Sequence, residues 1–504
     1  MHKGKADVIH RLGNALGRGK AGCQPAYVQQ RFCHNEFHRF AVKPSYTAYC
    51  GERKRYRGNE MANVVIVGGG LAGCDCAWQL ARAGVEVTLY EMKPEKRSEA
   101  HTEDGLAELV CSNSFRATGP AAAIGLLKEE MEALGSLIME AAFATRVPAG
   151  GALAVDRALF SEYITGKIED HDKITVVHEE ITSLDGEALK GFDAVVIAAG
   201  PLASAELTES LMATVGDARL YFYDAIAPIV SRDSIDFDKA FWGSRWKPED
   251  DDYLNCPMSE EEYKAFVTAL LEGEKVKPRD FEKEVHFEAC LPVEAMAERG
   301  EMTLAFGPLK PVGFVDPRTG ERPFAIVQLR TENADKTAFN LVGFQTKLKY
   351  PEQKRIFRMI PGLENAEFLR LGSIHRNTYV NAPEVLDDTL QLKARPGVYL
   401  AGQITGVEGY LESAACGLWL GLSLGRKLTG LERLPEPPVE TALGALMGHL
   451  RTKPDKRFQP SNVNFGLMPG LEGRIKKKFR KEMYGKRAQE AFAAWIEAAS
   501  LPKE

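Results

Sequence analysis

The sequence predicts an α/β chain: a Rossmann-like dinucleotide-binding domain built from two separated stretches, an inserted α+β domain and a helical C-terminal tail. Three observations carry that prediction. A strand–glycine–helix–strand unit begins just after Met61, a second strand–glycine–helix unit recurs near residue 400, and the stretch between them lacks their alternation.

In the first unit, Asn63 to Gly68 (NVVIVG) is a β-branched run suited to a buried parallel strand. It leads into Gly68-Gly69-Gly70-Leu71-Ala72-Gly73, a G-x-G-x-x-G. A helical stretch, Cys74 to Ala83, ends at Gly84, and Glu86 to Glu91 (EVTLYE) reads as the next strand. Each glycine has a physical use. Gly68 permits a tight turn, Gly70 lets the backbone approach a pyrophosphate, and Gly73 allows close helix–strand packing. The new helix offers unpaired N–H groups and its positive dipole end to phosphates. Glu91, 18 residues past Gly73, is placed to accept hydrogen bonds from ribose hydroxyls. A lone G-x-G-x-x-G is weak, but a strand before it, a helix after it and the acid beyond make a purely structural turn the poorer reading.

The second unit is a strand at 397–402 (GVYLAG), then Gln403-Ile404-Thr405-Gly406, Val407-Glu408-Gly409-Tyr410 and a small-residue helix from near Ser413. A third strand and glycine turn, Ala194 to Gly200 (AVVIAAG), closes the same domain. This arrangement resembles the two-dinucleotide-binding flavoproteins, whose late loop and helix N-terminus hold the ribityl chain and pyrimidine edge of a flavin. The resemblance implies FAD, with Gly402 and Gln403 in that loop. Many such families carry Asp where this chain has Gln403.

The expected organisation is therefore a dinucleotide domain at 61–203 and 344–434, an inserted domain at 204–343 and a basic helical tail at 435–504. Within the insert, Ser259 to Glu272 reads as a helix entered through Ser-Glu-Glu-Glu. Pro435 to Pro438 mark a linker. From Arg451 to Arg487 there are 12 Lys+Arg against 3 Asp+Glu, with Phe458, Phe465 and Phe479 interleaved. Such a run suits either a solvated helix face or a polyanion surface.

Composition bounds the class. With 44% hydrophobic and 27% charged residues among 504, the chain is ordinary globular protein of two or three domains. No apolar run reaches bilayer length; Ser413 to Gly425 is uncharged but Gly-rich and ends at Arg426. Residues 1–60 carry 12 Lys+Arg against 4 Asp+Glu, whereas 61–504 carry a balance of −14. An organelle-targeting peptide would want Ser, and only Ser45 is there. Cys23, Cys33, His34 and His38 match no zinc spacing, and no metal is expected. An extension upstream of the natural start, with Met61 opening the fold, is the preferred reading.

Nine scattered cysteines form no disulfide framework in a chain of this size, so reduced thiols in a cytoplasmic setting are expected. Cys111 (AELVCSNS) and Cys256 (YLNCPM) have polar or turn-forming neighbours, and Pro257 favours an extended, presented Cys256. Cys74, Cys76 and Cys416 sit in helical small-residue runs and read as packing; Cys290 is intermediate. The one close pair, Cys74-x-Cys76, belongs to the pyrophosphate helix, which disfavours disulfide reduction.

From Asn63 through Leu467 the chain closely resembles the folate- and FAD-dependent tRNA (uracil-5-)-methyltransferases. The landmarks include AELVCSNSFR (107–116), GLLKEE (125–130), VPAGGALAVDR (147–157), YFYDAIAPIV (221–230), YLNCPM (253–258), FGPLKPVG (306–313), VQLR (327–330), HRNTY (375–379) and AGQITGVEGY (401–410). That family also has Gln after Ala-Gly, which accounts for Gln403. The resemblance implies 5-methyluridine formation at position 54 of the tRNA T-loop. The carbon would come from 5,10-methylenetetrahydrofolate and the hydride from FAD reduced by NADH or NADPH. It also implies two working thiols: Cys256 as the nucleophile that adds to uracil C6, and Cys111 as its acid/base or flavin-side partner. Tyr410 is implied to contact the isoalloxazine. A sister family, which modifies the wobble uridine of tRNA, is the alternative, but it carries a longer, different C-terminal helical domain. A non-enzymatic tRNA-binding flavoprotein is the reading from another class.

Overall fold

The β-branched run at the start of the dinucleotide unit becomes the centre of a buried sheet. The computed structural model describes residues 61–216, 219–247, 249–276, 291–453, 458–473 and 475–499. Cys290, the Cys23–His38 group and part of the basic run lie outside them. Strands Asn63–Val67, Glu86–Glu91, Ile174–His178, Ala194–Ile197 and Val398–Leu400 form one parallel sheet, with Asn63–Val67 in the middle. Its order is 398–400, 194–197, 63–67, 86–91, 174–178, so the late strand joins the early ones across about 200 residues of intervening chain. Val64, Val65 and Ile66 are fully buried, as a strand covered on both faces requires.

Two helices pack across this sheet, and their sequence explains how closely. Leu71–Arg82 and Tyr410–Leu428 both begin three residues earlier than the small-residue runs alone indicate, because Gly70 and Gly409 supply their caps. Along the later helix Gly417, Gly421 and Gly425 recur every fourth residue, on one face. A Cβ on Gly417 would stand 2.0 Å from the Ala72 carbonyl oxygen, and one on Gly421 2.7 Å from that of Cys76. Backbone therefore meets backbone, and the uncharged Ser413–Gly425 stretch is buried inside the protein. Cys74, Cys76 and Cys416 are fully buried in this core. Among the described residues no helix is long and apolar enough to cross a membrane.

A second, antiparallel sheet runs 241–242, 253–258, 325–331, 338–341, 229–231, 368–370 and has its own core. The helix Glu260–Glu272 packs on it, started by a capping box: Ser259 Oγ accepts from Glu262 N at 3.2 Å and Glu262 Oε2 from Ser259 N at 2.8 Å. The two cores do not divide at 204 and 343. Leu207 and Leu211 of the Ala205–Val215 helix pack in the first core, whereas Phe344, Ile356, Phe357 and Leu363 pack in the second. Strand Phe368–Arg370 completes the second sheet, so the chain returns to the first core only after about Arg370.

The tail is part of the first core. Its helix Ala442–Arg451 is capped by the buried Glu130 carboxylate, which accepts from Ala442 N (2.8 Å) and Leu443 N (2.7 Å). The last helix, Arg480–Ala498, inserts Phe492 and Trp495, and the Trp495 indole donates to the Pro435 carbonyl at 3.0 Å.

Candidate functional site

The glycine loop between the first strand and helix shapes one end of a cavity holding about 1090 Å³ of atom-free space, part of it open to solvent. Gly68 adopts φ +109°, and a Cβ there would sit 2.5 Å from the Ala198 carbonyl oxygen, so only glycine makes this turn. Gly73 lies behind the wall, where a Cβ would come within 1.9 Å of Gly68 O. Gly70 is different. It is extended (φ −78°, ψ −172°), caps the helix, and a Cβ there would meet nothing within 4 Å. The space it leaves lies at the helix N-terminus, where unpaired N–H groups and the dipole favour phosphate.

Glu91 lines the same wall and is nearly buried. Its Oε2 accepts from Gly69 N at 2.8 Å and its Oε1 from Lys93 N at 3.1 Å. The carboxylate thus ties the glycine loop to the second strand, and its two oxygens keep further lone pairs on the cavity wall. Gly68, Gly69, Gly70, Leu71, Ala72, Gly402, Gln403 and Tyr410 also line the cavity; Gly73 does not. Gly402, at φ +80°, packs so close to Ala72 that a Cβ would stand 2.7 Å from the alanine methyl. Gln403 Nε2 donates to Glu408 Oε2 at 2.7 Å, which orients its amide in the late loop.

At the other end of the cavity, the loop around Cys111 is held from three directions. Val110 lines the wall, and the Tyr410 phenol oxygen accepts from Cys111 N (2.6 Å) and Ser112 N (3.0 Å). Burial, and next the neighbouring Cys111, push the Tyr410 phenol well above its ordinary pKa, so it stays neutral. Arg157 donates to the carbonyl oxygens of Leu109 and Cys111, the latter at 3.3 Å, and pairs with Glu332. Arg330, nearly buried, donates to Asn113 Oδ1 at 2.9 Å and Ser112 Oγ at 2.8 Å. Asn113 is also fully buried and donates to the carbonyls of Val155 (3.0 Å) and Thr331 (2.9 Å).

Cys256 is placed elsewhere. It lies in strand Tyr253–Met258, extended as Pro257 implies but fully buried, and faces the second core. The period-2 alternation of that strand decides its direction. Tyr253 pairs with Arg330 in register and Cys256 with Val327, so the two pairs point to opposite faces of the sheet. Arg330 points to the Cys111 loop; Cys256 points away. Burial, with Glu364 adding to it, pushes the Cys256 thiol up to about 12. Neither cysteine is itself among the residues lining the cavity, but Val110, next to Cys111, is, whereas no neighbour of Cys256 is.

Sequence reasoning assigned no role to Arg157, Arg330, Glu332 and Asn113. A signal existed: Arg330 is the one charge in a mainly apolar strand (AIVQLRT), and a charge there must be buried with partners. Of the tail aromatics, Phe458 is buried beneath Gly406 and stacks on His449 at 5.0 Å, Phe465 stacks on Tyr484 at 5.0 Å, and Phe479 is exposed.

Comparison with known proteins places this geometry in context. Residues 63–432 match the family model described as glucose inhibited division protein A. A protein of Oleidesulfovibrio alaskensis named methylenetetrahydrofolate--tRNA-(uracil-5-)-methyltransferase is 66% identical over 442 residues, covering 88% of this chain and 98% of its own length. One of the same name from Geobacter sulfurreducens is 60% identical over 434 residues, covering 86% and 98% respectively. Among solved structures, Aquifex aeolicus GidA shares the fold with a TM-score of 0.61 at 17% identity, over 86% of this chain and 73% of that one.

Proposed function

Because this chain belongs to the methylenetetrahydrofolate--tRNA-(uracil-5-)-methyltransferase family, we propose that it methylates C5 of uridine 54 in the T-loop of tRNA. The carbon donor in this reading is 5,10-methylenetetrahydrofolate, and NADH or NADPH is the reductant. The observation that carries it is the Cys111 loop, pinned by Tyr410 next to the cavity of the glycine motif, which both Val110 and Tyr410 line, in a chain 66% identical to a protein named for this activity. A cytoplasmic location follows from the same reading.

The cavity residues fit FAD. Gly68 to Ala72 and the helix N-terminus behind them would hold the pyrophosphate, Glu91 the ribose, and Gly402, Gln403 and Tyr410 the flavin end. When bound, reduced FAD supplies the hydride that completes the methyl group.

The chain's own residues do the rest. Uracil C5 is a poor nucleophile until a thiolate adds to C6, which sends the C5–C6 π pair toward the C4 carbonyl as an enolate. C5 then attacks the donor methylene as one of its two bonds to folate nitrogen breaks. Loss of the C5 proton expels the folate from its second nitrogen and leaves an exocyclic methylene. Addition of the hydride there completes the methyl as the C6–S bond breaks and the thiolate returns. We assign the thiolate to Cys111 rather than Cys256. An ordinary thiol, with pKa near about 8.5, is only a few per cent ionised at neutral pH, and nearby cations favour the anion. Arg157 on the Cys111 carbonyl and Arg330 on the neighbouring Ser112 and Asn113 fix two guanidinium groups at the Cys111 loop, while Cys256 faces the second core. Tyr410 and Arg157 fix the loop through the Cys111 N–H and carbonyl, which sets where the sulfur points.

The test is methyl incorporation into unmodified tRNA from labelled methylenetetrahydrofolate, with FAD and NADPH present. Label at position 54, absent when that uridine is cytidine and absent with S-adenosylmethionine as donor, is the expected result. Bound tRNA with no label, or label only at the wobble position, would overturn the reading.

A further inference from the structure

The first turn of the last helix violates the electrostatics of a helix. Between Lys476 and Arg487 there are seven Lys+Arg and one acid, Glu482. They sit on a 3-10 turn, Lys477–Phe479, and the N-terminal end of Arg480–Ala498, while the last turn of that helix has no basic residue. The macrodipole favours the reverse, acids at the start and bases at the end. A solvated helix face would also mix signs, placing each Lys within reach of a Glu one turn on.

Among the described residues the charges of Lys476–Lys481 are not used in ion pairs, and their one internal contact is Lys478 Nζ, 4.7 Å over the neighbouring Phe479 ring. Lys476, Lys477, Lys478, Arg480 and Lys481 are all exposed, and none makes an ion pair among the described residues. Only Lys486 pairs, loosely, with Glu490 at 3.9 Å, and Arg487 is taken up by the carbonyls of Pro469 and Gly470. Phe479 and Met483 are exposed among them, 45% and 42% accessible. A run, Lys476–Lys481, that works against the helix dipole and finds no acidic partner within the described residues is the signature of a surface selected for a partner.

Its position says which partner. Gly485 packs on the Pro120 carbonyl so tightly that a Cβ would stand 2.5 Å from that oxygen. Pro120 follows the Ser114–Ala117 strand, which begins three residues after Cys111. On the same side Arg116 pairs with Glu412 in the first turn of the Tyr410 helix, and Glu412 also accepts from Val463 N of the tail at 3.0 Å. The basic segment is thus fastened to the elements that carry Cys111 and Tyr410.

We infer that Lys476–Lys481, on the segment that Gly485 fastens to Pro120 just after strand Ser114–Ala117, is the surface on which the phosphate backbone of the RNA substrate docks. This rests on the reading of tRNA as substrate. The helix N-terminus adds its dipole to the lysines once an anion is present, and Phe479 offers a ring for an unpaired base.

The experiment uses the full-length, FAD-loaded protein and an unmodified tRNA transcript. Binding is measured against NaCl concentration, and methylation against tRNA concentration. The variants are Lys477→Glu/Lys478→Glu/Lys481→Glu, the same three changed to Gln, and Lys190→Glu as an exposed control on the far side of the chain order. The surface predicts at least about tenfold weaker binding for the Glu variant and a smaller loss for the Gln variant. The log–log salt slope should flatten by roughly 2 to 3, the release expected for three phosphate contacts. Flavin content and kcat at saturating tRNA stay near wild type, so the effect falls on KM. Binding and salt slope equal to wild type in both triple variants would overturn the inference, whether or not methylation is seen. A wild-type protein that binds tRNA without methylating it would contradict the proposed function instead, and the binding comparison would still decide this surface. Should the Glu variant lose its flavin, the Gln variant carries the decision.

Discussion

The phenol oxygen of Tyr410 accepts hydrogen bonds from the main-chain N–H groups of Cys111 and Ser112, at 2.6 and 3.0 Å, joining residues 299 apart in the chain. The thiol loop of the first dinucleotide half is thereby keyed to the first residue of the late helix. Removing the oxygen while keeping the ring isolates that link. Tyr410→Phe should leave two N–H groups without their acceptor and cost about 1–3 kcal/mol in thermal or denaturant unfolding. Flavin content should hold, and kcat for methyl transfer should fall at least about tenfold because the sulfur is no longer aimed. Unchanged kcat would show that the loop is positioned by Arg157 and Arg330 alone.

Thiol chemistry separates the two nominated cysteines. Cys256 is fully buried and its thiol is pushed up to about 12 by burial, then by Glu364, so at pH 8 it stays protonated and covered. Cys111 is half-buried. Iodoacetamide on the native protein at pH 8, read by peptide mass spectrometry, should modify Cys111 well before Cys256. Cys74, Cys76 and Cys416, all buried, should label only on unfolding. Equal rates at Cys111 and Cys256 would mean that the second core opens readily.

Arg330 links the second sheet to the Cys111 loop through Asn113 and Ser112. Arg330→Met keeps most of the volume and removes the donors, leaving the buried Asn113 oxygen without its partner. The expected loss is about 1–3 kcal/mol of stability, with kcat falling more than the KM for tRNA rises. A variant with normal kcat would place Arg330 in a purely structural role.

Two glycines of the same motif should fail differently. Gly73→Ala puts a methyl 1.9 Å from Gly68 O, so the loop itself must move and both stability and flavin content drop. Gly70→Ala meets no protein atom within 4 Å and sits at an ordinary φ, so the melting temperature of the flavin-free protein should barely change. Its flavin affinity should nevertheless fall, because the methyl occupies the approach to the pyrophosphate. Full flavin retention in Gly70→Ala would place the phosphates elsewhere.

How much of this was legible in the sequence follows from which forces were local. The strand–glycine–helix units, the Ser259 capping box and the packing role of Cys74, Cys76 and Cys416 follow from patterns within a few residues. The division between the cores was misplaced because Tyr350–Phe357 looks like any helix of an alternating fold, while its apolar face is claimed by a sheet whose strands lie far away in sequence. Cys256 was read as presented because Pro257 demands extension. Extension says nothing about which face a side chain takes, and register against 325–331 settled that. The Arg330–Asn113 and Tyr410–Cys111 contacts span more than 200 residues, and no local pattern announces such pairs. The basic tail was visible as charge, but its fastening next to strand Ser114–Ala117 depended on Gly485 meeting Pro120.

The most direct test of the central claim, that Cys111 attacks uracil C6, uses tRNA carrying 5-fluorouridine at position 54. Fluorine at C5 cannot leave as the proton does, so the reaction stalls with the thiol still bonded to the base. A protein–RNA adduct is expected that requires methylenetetrahydrofolate but not NADPH, is absent in Cys111→Ala, and yields a nucleotide-bearing peptide containing Cys111. An adduct mapped to the peptide containing Cys256, or one that survives Cys111→Ala, would contradict it.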